Sequence, residues 1–207
     1  MYASLKRFFD FISALVLFCV ISPIFLLIWI LVRINLGKPA FFTQERSGLH
    51  GKVFRIIKFR SMTDARDEKG NLLPDEQRAT MFGTWLRKTS LDELPELLSI
   101  IKGDMAVIGP RPLPPLYDSY YTEREKKRFE VRGGLIPPEV LHGNILPTWD
   151  EQLEYEAHYA EHVSLTLDIR IMKAVFKGLF VRYEKNQGGV VRDTLIIERS
   201  KNMKVNI

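Results

Sequence analysis

The sequence predicts an α+β protein in which an apolar N-terminal membrane segment precedes a small, mixed, helix-rich globular domain. Three observations carry this. No charged residue occurs from Ile12 to Val32, and 21 helical positions at about 1.5 Å each reach roughly 31 Å, near the thickness of a bilayer's hydrocarbon core. Short β-branched or aromatic runs at Pro39–Gln44 and Val53–Phe59, separated by Ser47-Gly48 and Gly51, have the form of a hairpin. Further on, Phe82, Trp85 and Leu86, then Leu94, Leu97, Leu98 and Ile101, recur at helical spacing up to a stop at Lys102-Gly103.

Composition narrows the class. A chain of 207 residues, 46% hydrophobic and 27% charged, holds one domain or one plus an appendage, which excludes a large multidomain machine and a wholly disordered chain. The single cysteine, Cys19, excludes a disulfide framework and a cysteine-based zinc site. A net charge of +5 favours anionic partners without choosing among lipid, nucleotide and nucleic acid.

The apolar segment is longer than a signal-peptide core and lacks a small-x-small cleavage site. Ser22-Pro23 stands at its centre, where proline removes an intrahelical hydrogen bond and crowds the preceding turn, so a kink is expected. Lys6 and Arg7 precede the segment and Arg33 and Lys38 follow it, so positive charge favours neither flank. Two topologies fit these residues equally: a single span with a tolerated proline, and a segment that turns back with both ends facing the cytoplasm.

Within the domain, the charged stretch from Asp64 to Arg78 contains Lys69-Gly70-Asn71 and reads as a mobile loop with a turn, a solvated loop before it is a lid. Gly109-Pro110-Arg111-Pro112 is a rigid turn. Trp149 to Val163 forms a helix of mostly acidic and aromatic residues. Its His158 and His162 have the i, i+4 spacing that can bind zinc, but no third ligand is placed and an exposed polar face explains them as well. From Leu165 to Tyr183, Ile169, Met172, Phe176, Leu179 and Phe180 form an apolar face beside a basic stripe of Arg170, Lys173 and Lys177. That pattern suits an interfacial helix on an anionic membrane and, equally, a helix packed on the core. Beyond Gln187-Gly188-Gly189 the tail shows no amphipathic pattern. The expected boundaries are 1–37 for the membrane segment, 38–185 for the catalytic domain and 186–207 for the tail.

The chemistry is expected around Thr89-Ser90-Leu91-Asp92-Glu93-Leu94-Pro95. Ser90-x-x-Glu93 matches a capping box, but that cap would put Pro95 inside the helix, where it removes a ladder bond and clashes with the Leu91 carbonyl. A helix entry at or after Asp92 places Pro95 in the first turn and the two carboxylates at a positive helix end. With Arg87 and Lys88 just upstream, such a pair suits magnesium and phosphate better than metal-free acid/base work.

These residues resemble a known family. Lys58-Phe59-Arg60-Ser61-Met62, Ser90-Leu91-Asp92-Glu93-Leu94-Pro95, Gly103-Asp104-Met105 and Gly109-Pro110-Arg111-Pro112-Leu113, behind an apolar segment interrupted at Ser22-Pro23, are similar to the bacterial sugar transferases, the small monotopic phosphoglycosyltransferases. The similarity runs from the N-terminal helix to about Arg182. It implies a re-entrant helix-break-helix in one leaflet of the bacterial inner membrane, with the catalytic domain on the cytoplasmic face. It also implies magnesium-dependent transfer of a phosphosugar from a UDP-sugar to polyprenol (undecaprenyl) phosphate, with release of UMP, through a covalent aspartyl intermediate. That is a first membrane step of glycan assembly, feeding downstream glycosyltransferases. The resemblance makes Asp92 the nucleophile and Glu93 its magnesium partner. Lys58, Arg87 and Arg111, with Pro112 stiffening the turn, are the candidates for neutralising the donor diphosphate.

One stretch departs from the family. Members commonly read Arg-Pro-Gly-x-Thr-Gly and then Gln-Val-x-Gly-Arg, where this chain has Arg132-Gly133-Gly134-Leu135-Ile136-Pro137 and then Val140-Leu141-His142-Gly143-Asn144. The usual late arginine is Asn144, which does not carry over that arginine's phosphate contact, leaves donor affinity and sugar choice open, and admits an alternative function, a catalytically silent membrane scaffold. Nucleic-acid binding has only the basic charge in its favour, with no helix-turn-helix or aromatic RNA-binding pattern.

Overall fold

The computed structural model describes residues 2–143, 147–180 and 194–205. Asn144, Tyr183 and Gln187-Gly188-Gly189 lie outside the described residues. The protein is a mixed, helix-rich α+β structure with a long apolar N-terminal helix, α1 (Tyr2–Leu36). By length and composition α1 can cross a membrane. Its helical secondary structure continues through Ser22 and Pro23, the position of the expected break. The local chemistry gives the reason. Pro23 has no N–H for the carbonyl of Cys19, four residues back, and the Ser22 hydroxyl donates to that carbonyl at 2.8 Å. A side-chain donor thus fills the rung that proline removes.

The chain divides into two compact units, one of Met1–Phe9, Glu45–Phe54 and Asp104–Ile207, the other of Asp10–Gln44 and Arg55–Gly103. Strands β1 (Phe41–Ser47) and β2 (Val53–Phe59) pair as the expected hairpin, the Arg60 N–H donating to the Ala40 carbonyl at its base.

In the unit containing the hairpin base, Phe59 is buried with Ile28, Val32, Ala40 and Leu86, and its ring centroid lies 4.9 Å from Phe25 and 5.4 Å from Phe41. Fully burying such a side chain stabilises by about 1.5–3 kcal/mol. Arg60 is buried beside this core. Its guanidinium donates to the Leu36 carbonyl, to the Lys38 carbonyl at 3.0 Å and to Asp64 Oδ2 at 2.7 Å, so a cation satisfies the last carbonyl of α1 and one just beyond it. The charged stretch read as a mobile loop is a folded excursion. Asp67 Oδ1 accepts from the Lys69 and Asn71 amides, a bridge joins Arg66 to Leu72, and one helical turn, α2 (Asp75–Arg78), follows. Then come α3 (Met81–Lys88), N-capped by Thr80, and α4 (Glu96–Lys102), which stops at the predicted Gly103, φ 100°.

In the other unit β3 (Ala106–Ile108) and β4 (Gly134–Ile136) pair in parallel, Ala106 opposite Gly134 and Ile108 opposite Ile136. Their crossover is built from short 3₁₀ turns at Pro115–Tyr120 and Glu125–Glu130. The departing Gly133-Gly134 pair has a structural explanation here. A Cβ on Gly134 would stand 2.1 Å from the Gly109 nitrogen, and one on Gly133 2.5 Å from Pro112 Cγ, so β4 and the Pro-Arg-Pro turn approach with no room for side chains.

Helix α5 (Trp149–His162) opens on a capping box between Thr148 and Glu151. His158 and His162 are exposed, on the polar face expected for them, while Gln152, Leu153, Glu156, Ala157 and Tyr159 are buried on the other side. Helix α6 (Leu165–Phe180) buries Asp168 and Ile171, with Leu167 and Met172 packed beside them, while Ile169 and Phe176 of the expected apolar face are 45% and 54% exposed. Asp168 Oδ1 accepts from the Tyr159 hydroxyl at 2.7 Å, and Asp168 Oδ2 receives the Tyr2 hydroxyl and Lys6 Nζ, the latter at 3.1 Å. The tail that showed no pattern contains α7 (Leu195–Val205), whose Leu195 is buried with Tyr121, Trp149 and Leu153.

Candidate active site

Alternation along β2 sends Phe59 into the core and Lys58 to the opposite face. Lys58 Nζ lies 2.6 Å from Glu93 Oε1 and 3.1 Å from Glu96 Oε1. Glu93 comes from the segment that joins α3 to α4, and Glu96 is the first residue of α4. After α3, Ser90 adopts a left-handed conformation, φ 55° and ψ 19°, which costs a non-glycine residue about 1–2 kcal/mol and redirects the chain into a 3₁₀ turn, Leu91–Glu93. Ser90 makes no side-chain cap bond, and α4 begins directly after Pro95, as the proline argument requires.

Asp92 is 8% exposed. Burial raises its carboxyl above the ordinary aspartate value, the Glu93 charge raises it further, and the Lys58 and Arg87 cations pull it back. The structure therefore brings together Lys58, Arg87, Asp92 and Glu93 from the sequence prediction and adds Glu96, which is 3% exposed. Glu96 is a site residue the sequence reading missed. Its signal was its place three residues after Glu93 and four after Asp92, on one face once the chain turns helical.

Among the described residues no group of three or more His, Cys, Asp or Glu is arranged to hold a metal ion. Magnesium keeps several waters and takes phosphate oxygens, so one or two carboxylates suffice, and Asp92 with Glu93 supplies hard oxygen donors of that kind. At His158 and His162 the rings stack at 4.3 Å, with His162 Nδ1 2.9 Å from the His158 carbonyl.

Arg111 and Pro112 belong to the other compact unit. The Arg111 side chain is exposed and Pro112 is buried. In the same unit His142 stacks flat on Tyr155, with centroids 3.8 Å apart, beside a cavity of about 120 Å³ that Glu139 also lines. The Glu139 carboxyl is raised to about 7, chiefly by burial and then by Glu156, against the pull of Arg111 and Arg128.

A sequence model of the bacterial sugar transferases matches residues 1–182. The chain belongs to the bacterial sugar transferase family. EpsL of Bacillus subtilis, described as an uncharacterized sugar transferase, is 46% identical over 168 residues, 81% of this chain and 83% of that protein. The exopolysaccharide production protein ExoY of Rhizobium meliloti is 33% identical over 184 residues, 81% of each chain. The UDP-glucose:undecaprenyl-phosphate glucose-1-phosphate transferase of Escherichia coli is 31% identical over 185 residues, 84% of this sugar transferase and 40% of that enzyme.

Proposed function

We propose that this sugar transferase moves a phosphosugar from a UDP-sugar to undecaprenyl phosphate and releases UMP, as a first membrane step of polysaccharide assembly that supplies downstream glycosyltransferases. One observation carries the reading: a buried aspartate, Asp92, stands among the Lys58 and Arg87 cations and the Glu93 and Glu96 carboxylates, in a chain of this family.

An Asp92 oxygen attacks the sugar-bearing phosphorus of the donor. The P–O bond to the uridine-bearing phosphate breaks, and its electron pair leaves with UMP. An oxygen of undecaprenyl phosphate then attacks the same phosphorus, the bond to Asp92 breaks, and the carboxylate is restored as the sugar-bearing undecaprenyl diphosphate departs. Burial strips water from Asp92 and makes its anion more reactive, while Lys58 and Arg87 offset its charge and that of the diphosphate. Arg111 contributes a further guanidinium to the donor phosphates from a proline-stiffened turn. A magnesium ion held by the Asp92–Glu93 carboxylates would supply neutralisation of diphosphate charge.

The reading places α1 as a re-entrant segment of the bacterial inner membrane with the catalytic domain on the cytoplasmic face. Two features support it. Tyr2 and Lys6, ahead of the apolar run, contact Asp168 of α6, and a straight span would carry them across the bilayer from it. Leu165, Ile169 and Phe176 form an exposed apolar ridge beside Arg170, Lys173 and Lys177, which suits α6 to an anionic lipid surface.

The test is UMP release by the purified full-length chain in lipid nanodiscs with undecaprenyl phosphate, magnesium and a panel of UDP-sugars. Turnover is expected with at least one sugar. No release from any donor by folded, membrane-bound protein would overturn the reading and leave the silent scaffold.

A further inference from the structure

Arg111 lies between Pro110 and Pro112, so in that tripeptide only Arg111 has a backbone N–H. The two proline rings fix their own φ angles and leave the Arg111 peptide to be oriented by whatever its amide and carbonyl meet. Both meet the same buried ion pair. The Arg111 N–H donates to Glu156 Oε1 at 3.2 Å, and the Arg111 carbonyl accepts from Arg128 Nη2 at 2.5 Å. Arg128 Nη2 also stands 2.9 Å from Glu156 Oε2, a contact of opposite charges rather than an aligned hydrogen bond.

This pair is held rigidly from two elements. Glu156, on α5, is 0% exposed, and its Oε1 also accepts from Gln152 Nε2 at 3.0 Å. Arg128, in the 3₁₀ turn Glu125–Glu130, is 4% exposed, donates from Nη1 to the Tyr121 hydroxyl at 2.6 Å and lies 5.1 Å from the centroid of that ring. A buried ion pair gains little stability over apolar residues of equal volume, because desolvation cancels most of the attraction. Apolar residues, however, cannot hold an amide and a carbonyl.

We propose that Arg128 and Glu156 are positioning residues for the transfer reaction: their buried ion pair clasps both backbone polar groups of Arg111 and so fixes the peptide that carries its exposed guanidinium. The inference rests on the reading of Arg111 as a donor-phosphate residue. The clasp places the peptide, and the guanidinium does the binding. Loss of the clasp should therefore weaken donor capture as loss of the guanidinium does, with the chemical step at Asp92 little affected.

Removing one partner alone strands a buried charge, so the informative variant replaces both, Arg128→Met with Glu156→Leu, which keeps the volume and removes both bonds to Arg111. Steady-state UMP release would be measured with the UDP-sugar that supports turnover, and folding by thermal melt. The double variant is expected to melt cooperatively and to raise the donor KM about tenfold or more, close to the rise in Arg111→Ala, with kcat changed less than about threefold. Adding Arg111→Ala to it should raise KM no further, because the two changes remove one interaction. Glu156→Gln, which keeps the shape but releases Arg128 from its charge partner, should raise KM roughly threefold and decides the matter if the double variant does not fold. A wild-type donor KM in these variants, with KM raised in Arg111→Ala, overturns the clasp and spares the phosphate reading. Wild-type kinetics in Arg111→Ala overturns that reading, and the clasp with it.

Discussion

Asp92 shows why a buried carboxylate is costly to the fold that carries it. Burial and then the Glu93 charge raise its carboxyl above the ordinary aspartate value, whereas the proposed attack on phosphorus needs the anion. Asp92→Asn keeps the shape and removes the charge. It is expected to abolish UMP release while raising the melting temperature, and a lowered melting temperature would show that Lys58 and Arg87 outweigh burial. Glu139 carries the same strain outside the carboxylate cluster, with its folded value at about 7 against an ordinary 4.5. A raised carboxyl contributes most to stability below the unfolded value, and that contribution is lost as pH rises through the folded one. Stability should therefore fall between about pH 4.5 and 7, by no more than about 3 kcal/mol from this group. Glu139→Gln should flatten that part of the profile and raise the melting temperature at pH 8. An unchanged profile in melts from pH 4.5 to 8 would remove Glu139 as its source.

Among the elements, those set by local chemistry are legible in the sequence. The hairpin runs, the stop at Gly103 and the exclusion of Pro95 from a helix interior all depend on residues a few positions apart. The buried faces of α5 and α6 were not readable, because what admits Glu156 to the interior is Arg128, and what holds Asp168 is Tyr2, Lys6 and Tyr159, all on other elements. Glu96 escaped for the same reason, since its partner Lys58 lies on a strand. The α1 proline was legible in the sequence, and the Ser22 hydroxyl takes up the Cys19 carbonyl that Pro23 leaves without an N–H. The topology of that element has a direct test. With Cys19 replaced by alanine and a single cysteine at position 3, a membrane-impermeant thiol reagent applied to intact cells is expected to leave the protein unlabelled until the membrane is opened. Labelling from outside would restore the single span.

At the scale of the whole molecule, the motifs that pointed to one reaction are divided between the two compact units, Lys58, Arg87, Asp92 and Glu93 in one and Arg111 with Pro112 in the other. The Gly133 to Asn144 departure, by contrast, concerns one unit, where Gly133 and Gly134 serve the packing of the Pro-Arg-Pro turn. That leaves donor affinity and the identity of the sugar to experiment.

The central claim is that Asp92 carries the phosphosugar between donor and lipid. It is tested most directly by incubating the full-length chain with magnesium and the UDP-sugar that supports turnover, withholding undecaprenyl phosphate, and mapping covalent adducts by peptide mass spectrometry. The account predicts a phosphosugar on the peptide that contains Asp92, resolved to that residue, discharged when undecaprenyl phosphate is added and missing from Asp92→Asn. An adduct resolved to Glu93, or UMP release sustained by Asp92→Asn, would contradict it.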